Sequence, residues 1–291
     1  MTKKFTLSLL VLTLIGLISA CTADESAQEY PPVGASDIPS YQIVVPADDI
    51  ASGSPRIPFI IYDGFDQVST IDRVTINAYA LQDDGNGTLV WSGEAQPFND
   101  YAVPYWVTYP ELPTAGLWGL EATIVNADGV ESEAQFAVQT VDDTEGPQIG
   151  ELPPASINRT LETVDDVKLL SSAVTPDPAL HQFTVAELLD NGRPSVISFN
   201  TPAYCQTAVC APVLNSIEQS HETYNQDVDY LHLEIFKEFD PLTTADEVLE
   251  WNLTSEPWTF VLDEDGRVAA RLAGPVSPVE LQFHIENILN E

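Results

Sequence analysis

The sequence predicts an all-β domain followed by an α/β domain, both behind an export signal. Three observations carry this: a charged and then apolar N-terminus that ends on Cys21, alternation of apolar and polar residues in segments between 41 and 140, and, from about 179, a change to a continuous β-prone run followed by helix-like segments.

At the N-terminus, Lys3 and Lys4 precede an apolar run from Phe5 to Ala20, the charged and hydrophobic regions of a secretory signal. The run is short for a transmembrane helix, which needs about 20 apolar residues. Residues 1–20 are therefore expected to act as a signal peptide. Leu17-Ile18-Ser19-Ala20-Cys21 resembles the bacterial lipobox, and the resemblance implies that Cys21 is lipidated and becomes the mature N-terminus. The expected location is extracytoplasmic, lipid-anchored to the cell membrane and facing the periplasm or the cell surface. Residues 21–40, acidic and interrupted by Pro31, Pro32 and Pro39, read as a tether.

The formal charge is −35, and loss of Lys3 and Lys4 with the signal takes it to −37. Nucleic acid and an anionic membrane face are excluded as attractive partners. Excess carboxylates keep a surface hydrated, and a monomer is expected. Of three cysteines one serves the anchor. The other two, Cys205 and Cys210, lie five positions apart in a compartment where disulfides persist, so they are expected to pair.

Within 41–140, Val74, Ile76, Ala78 and Ala80 alternate with Thr75, Asn77 and Tyr79, and Trp118, Leu120, Ala122 and Ile124 alternate with Gly119, Glu121 and Thr123. Period two with aromatic and β-branched residues means half-buried strands, and turn signals such as Asp83-Asp84-Gly85-Asn86-Gly87 and Ala127-Asp128-Gly129 separate them. About seven such segments predict an antiparallel β-sandwich of immunoglobulin-like type with no catalytic motif. Residues 141–178, rich in Pro and Asp, read as a linker with a short helix or strand near 164–170.

The domain from 179 to 291 opens with a short helix at 183–189, entered at a Thr cap and closed by Asn191-Gly192. Ser195-Val196-Ile197-Ser198-Phe199 suits a buried central strand. The cysteine segment leads into a helix at about 211–223, with a strand at 228–235 and a helix at 244–253. Segments 258–262 and 267–272 flank Asp263-Glu264-Asp265-Gly266 as a hairpin, and residues 278–289 make a closing helix. Asp263-Glu264-Asp265-Gly266 lacks the distal Glu of a calcium loop and reads as a turn.

Over about 180–291 the chain resembles the thioredoxin superfamily. The residues that carry the resemblance are the apolar strand Val196–Phe199 running into a cysteine motif at a helix start, Pro257 just before the next strand, and the hairpin followed by Gly274 and a last helix. The resemblance implies a central mixed sheet flanked by helices, a cis-proline at Pro257 beside the cysteines, and redox chemistry at Cys205 and Cys210. Thr201, Pro202 and Trp258 are weaker candidates for a substrate groove, Trp258 serving equally as core. One departure is plain: four residues separate the cysteines, where thioredoxins have two.

That spacing has a geometric consequence. Five positions along a regular helix separate Cα atoms by about 8.6 Å, whereas a disulfide needs less than about 7 Å. Cys205 is therefore expected in the loop after the strand, with Cys210 at the first helical turn. A helix N-terminus favours Cys210 as the attacking thiolate, and Cys210-Ala211-Pro212-Val213 looks like the thioredoxin motif with its second cysteine lost. The distance from the strand instead favours Cys205. Both assignments stay open, with the lean toward Cys210.

The function these features predict is thiol-disulfide exchange with exported protein thiols or disulfides, or with a membrane redox partner. Three alternatives compete. Copper handling of the Sco type would add a histidine to the cysteines, from His181, His221, His232 or His284. Phe199-Asn200-Thr201-Pro202 and Thr207-Ala208-Val209-Cys210 echo a peroxiredoxin motif, but the proline is displaced and Glu256-Pro257 stands where that family has an arginine. A structural disulfide in a non-catalytic interaction protein is the last, although a short ring restricts the unfolded chain least. No cofactor is expected, since no phosphate-cradling Gly-rich loop or haem attachment motif occurs.

Overall fold

The computed structural model describes residues 41–82 and 85–290. The signal segment, Cys21, the tether and the first residues of the Asp83–Gly87 turn lie outside the described residues. No helix among the described residues is long and apolar enough to cross a membrane.

The N-terminal unit is a sandwich of two five-stranded sheets. Its strands are β1 (Tyr41–Val44), β2 (Ile50–Ala51), β3 (Ile57–Asp63), β4 (Asp66–Gln67), β5 (Ile71–Leu81), β6 (Gly87–Glu94), β7 (Gln96–Phe98), β8 (Tyr105–Thr108), β9 (Gly116–Asn126) and β10 (Glu131–Val141). One sheet runs β1-β3-β8-β7 with β4 added to β3, and the other runs β2-β10-β9-β5-β6. The alternation read from the sequence is the alternation of faces. Val74 and Ile76 stand opposite Ile124 and Ala122, and with Leu120 they meet Phe59, Ile61 and Trp106 of the other sheet in one core. Ten strands stand among the described residues where about seven were predicted, because β2, β4 and β7 are too short to show a period. The pairing also departs from purely antiparallel, since β2 runs parallel to β10.

Residues 141–178 are not a free linker. Their composition rules out long regular elements, yet Ser156, Asn158 and Thr160 are buried against the C-terminal unit. The Asn158 side-chain carbonyl accepts the Val185 N–H at 2.8 Å, and Trp251 Nε1 donates to Ser156 Oγ at 3.2 Å. The expected element near 164–170 is a single 3-10 turn, Val167–Leu169.

The C-terminal unit is a four-stranded mixed sheet with helices on both faces. β11 (Ser195–Asn200) lies inside, parallel to β12 (Asp229–Glu234) and antiparallel to β15 (Trp258–Leu262), which pairs with β16 (Val268–Ala273). α1 (Val185–Asp190) and α3 (Asp246–Glu250) cover the face of Ile197, Phe199 and Phe260. α2 (Cys210–Tyr224) and α4 (Pro278–Leu289) cover the face of Val196, Tyr230 and Val261. α1 carries a capping box: Thr184 Oγ1 accepts the Glu187 N–H and the Glu187 carboxylate accepts the Thr184 N–H. The predicted helix at 244–253 is shorter, and a hairpin that sequence patterning missed, β13 (Phe236–Phe239) with β14 (Leu242–Thr244), precedes it.

Candidate functional site

β11 is buried along its whole length and ends at Asn200, so the chain emerges from the core at Thr201. Thr201 is itself buried, while Pro202 is partly covered. Tyr204 N–H closes a turn on the Thr201 carbonyl at 3.2 Å, and Ala203 N–H reaches Ser172 Oγ at 3.1 Å. These bonds fix the exit of the loop that carries Cys205.

Cys205 and Cys210 form a disulfide with Cα atoms 5.9 Å apart. Cys205 lies in the loop and Cys210 is the first residue of α2. The intervening residues fold back through Ala208 at φ 59°, a conformation uncommon for a residue with a Cβ. Val209 precedes α2 without a side-chain cap, and the Cys210 N–H instead points at Cys205 Sγ at 3.3 Å. The sulfur of the loop cysteine therefore occupies the position of a helix cap, where free N–H groups and the helix dipole favour negative charge. Pro212 falls in the first turn, where its missing N–H costs no helical bond.

The two sulfurs differ in access. Cys205 is partly exposed, whereas Cys210 is 0% exposed. Val209 explains part of this: it packs into an aromatic and aliphatic cluster of the sandwich, with Ile60, Phe98, Val103, Tyr105 and Val107. The N-terminal unit thus covers the approach to the helix start.

Two groups flank Cys205 in the chain. Tyr204, 39% exposed, stacks on Phe239 at 5.5 Å and meets Phe236 edge-on at 6.0 Å, so the unforeseen β13–β14 hairpin forms an aromatic wall beside the cysteine. The Glu256 carboxyl faces the Gln206 backbone closely enough to feel its N–H. Burial pushes the Glu256 carboxyl above its ordinary range; the Gln206 N–H opposes that and Asp48 adds to it. Glu256 is joined to Pro257 by a cis bond. Pro257 is buried, with its carbonyl accepting the Gly274 N–H at 2.9 Å. Trp258 is turned inward, stacked on Phe260 with the Arg271 guanidinium 4.7 Å over its ring.

Beneath the loop lies a buried polar layer. Ser198 stands opposite His232 on β12 and Thr259 on β15. His232 Nε2 is 3.2 Å from the Asn200 carbonyl, and its ring lies 5.3 Å from that of His181. Burial first, then the neighbouring His232, lowers the His181 pKa to about 3, and burial lowers that of His232 as well. Both are neutral at ordinary pH. No three His, Cys, Asp or Glu side chains among the described residues stand where they could hold a metal ion. The four histidines named from the sequence therefore assemble no site with the cysteines.

No family model and no curated protein matches the chain. Among solved structures, a thioredoxin-family thiol:disulfide interchange protein from Chlorobium tepidum TLS is similar over 46% of this chain and 99% of its own, at 14% identity and a TM-score of 0.32. CopC from Methylosinus trichosporium OB3b is similar over 32% of this chain and 83% of its own, at 16% identity and a TM-score of 0.23. The fourth FNIII domain of a human protein is similar over 46% of this chain and 94% of its own, at 16% identity and a TM-score of 0.23. Likenesses this distant leave the chemistry to be judged from the cysteine loop itself.

Proposed function

We propose that the protein is an extracytoplasmic thiol-disulfide exchange protein, anchored through lipid on Cys21, in which Cys205 meets the substrate and Cys210 is the buried partner. The observation that carries this is the unequal access of the two sulfurs across one disulfide at a helix start. A substrate thiolate attacks Cys205 Sγ; the Cys205–Cys210 bond breaks and Cys210 leaves as a thiolate, which takes a proton. A second substrate thiol then displaces Cys205, so two electrons and two protons pass from a substrate dithiol to the pair. The reduced pair runs the same steps backward on a substrate disulfide. This reverses the lean drawn from the helix argument, because the dipole acts on Cys205 Sγ through the Cys210 N–H without requiring Cys205 to be helical. In this reading the immunoglobulin-like sandwich positions the loop by holding Val209.

The test is the reduction potential of the pair in graded glutathione buffers, beside Cys205→Ser and Cys210→Ser variants. A potential between about −120 and −270 mV, with Cys210→Ser trapping mixed disulfides and Cys205→Ser trapping none, is the expected result. A pair below about −300 mV, with no trapped partner, would make the bridge structural.

A further inference from the structure

The loop that carries Cys205, residues 202–209, holds no charged side chain. The charge that reaches it is negative. Glu256, which leads into Pro257, feels the Gln206 backbone N–H, and Asp48 adds to the field at Glu256. Asp48 is fixed by the Ser255 and Thr254 hydroxyls. Neither carboxylate has an ion-pair partner among the described residues; of the cations of the neighbouring segments Lys237 pairs with Asp246, Arg271 with Asp49 and Arg56 with Glu280, while Arg159 donates to the Lys237 carbonyl. Surface hydration explains exposed carboxylates in a chain of charge −35, but not Glu256, which is partly buried and loses solvation there. On the hairpin that meets Tyr204, Glu238 and Asp240 are exposed beside Phe239, and Leu242 is 48% exposed. The surroundings of the exposed sulfur are thus acidic and apolar together.

We infer that the polypeptide with which this pair exchanges presents its cysteine in a basic segment with an adjoining aromatic or aliphatic side chain, the cations answering Glu256 and the apolar side chain covering the Tyr204–Phe239 stack. The inference rests on the exchange reading above and names its substrate class. In the oxidised protein a thiolate of such a segment attacks Cys205 Sγ and releases the Cys210 thiolate, which is protonated. A second copy of the peptide thiolate then displaces Cys205, leaving a peptide disulfide and the reduced pair. Opposite charge raises the encounter rate and holds the register of the mixed disulfide, and salt screens it.

The experiment reacts the oxidised full-length chain with a lysine-flanked and a glutamate-flanked peptide, each carrying one Cys-Phe pair, and with 2-mercaptoethanol as a neutral thiol. Rates are corrected for thiolate fraction and for each thiol's rate with hydroxyethyl disulfide, which removes intrinsic reactivity. The expected lysine-to-glutamate ratio is about tenfold at low ionic strength, falling steeply with salt. Glu256→Gln should lower that ratio about threefold, whereas Glu133→Gln on β10 should leave it unchanged, and Phe239→Ala should slow both peptides but not 2-mercaptoethanol. A ratio within about twofold of unity, or an equal loss with Glu133→Gln, would overturn the inference as mere whole-molecule charge. In that event 2-mercaptoethanol opening the pair would leave the exchange reading intact, and a pair that no thiol opens would overturn both.

Discussion

At the scale of single residues, Cys205 is subject to two opposed fields. The Cys210 N–H and the start of α2 favour its thiolate, while the Glu256 carboxylate, close enough to feel the neighbouring Gln206 N–H, opposes it. Replacing Glu256 by Gln keeps the acceptor and removes the charge. In a Cys210→Ser background, thiolate absorbance followed against pH is expected to show Cys205 ionising at lower pH in Glu256→Gln than with Glu256 present. An unchanged titration would mean that Glu256 acts only on the loop backbone. The sequence could place both cysteines because a Cα separation of about 8.6 Å on a helix forbids the bond and forces one of them into the loop. Their relative exposure was not legible there, since it depends on Val209 meeting a cluster built from β3, β7 and β8, more than a hundred residues away.

At the scale of elements, segments with a clear alternation, a continuous apolar run or a cap were legible, and the short strands with none of these were missed. β11 and α4 fall within a residue of their predicted limits because burial on both faces and a Ser277 cap with Pro278 leave unambiguous patterns. β13 and β14 carry no alternation, and the aromatic wall they supply could be recognised only once Tyr204 was seen against Phe239. The buried layer across β11, β12 and β15 was equally hidden, since Ser198, His232 and Thr259 become neighbours through register alone. Its histidines make stability depend on pH. His181 and His232 titrate below the ordinary value near 6.5 in the fold, so the unfolded chain binds the additional protons. Their contribution is complete above 6.5 and is lost as pH falls from there toward about 3 for His181. Glu247 and Glu256, pushed up by burial, act in the opposite sense and temper the loss. His284, also lowered by burial, adds to the same loss, so urea denaturation is expected to show stability dropping by about 2 kcal/mol between pH 7 and 5.5, with His232→Leu weakening that dependence. A flat profile would mean that the histidines are not sealed from water.

At the scale of the whole molecule, the two units are joined by charges that neither could hold alone. Arg56, on the approach to β3, makes a two-pronged pair with Glu280 of α4, with side chains 6% and 3% exposed. Its remaining N–H groups donate to the Ala273 and Pro275 carbonyls, and Tyr105, kept protonated by burial and by the Glu280 charge, donates to the same carboxylate at 2.6 Å. Gly274 belongs to this contact: at φ 74° it lies so close to Pro46 that a Cβ would collide with the Pro46 carbonyl oxygen. None of this pairing was visible in the sequence, where Arg56 and Glu280 stand 224 positions apart. A buried pair of this kind lends more to uniqueness than to stability, and removing one member leaves the other charged and dry. Arg56→Met is therefore expected to cost about 3–5 kcal/mol, while Arg56→Met with Glu280→Leu should restore most of it. The same variants report on the site, because docking is what seals Cys210. In a Cys205→Ser background, alkylation of Cys210 should be slow in the parent, at least about tenfold faster in Arg56→Met under native conditions, and slow again in the double variant. Fast alkylation in the parent would show that the sandwich does not shield the buried cysteine, and would return the choice of nucleophile to the helix argument.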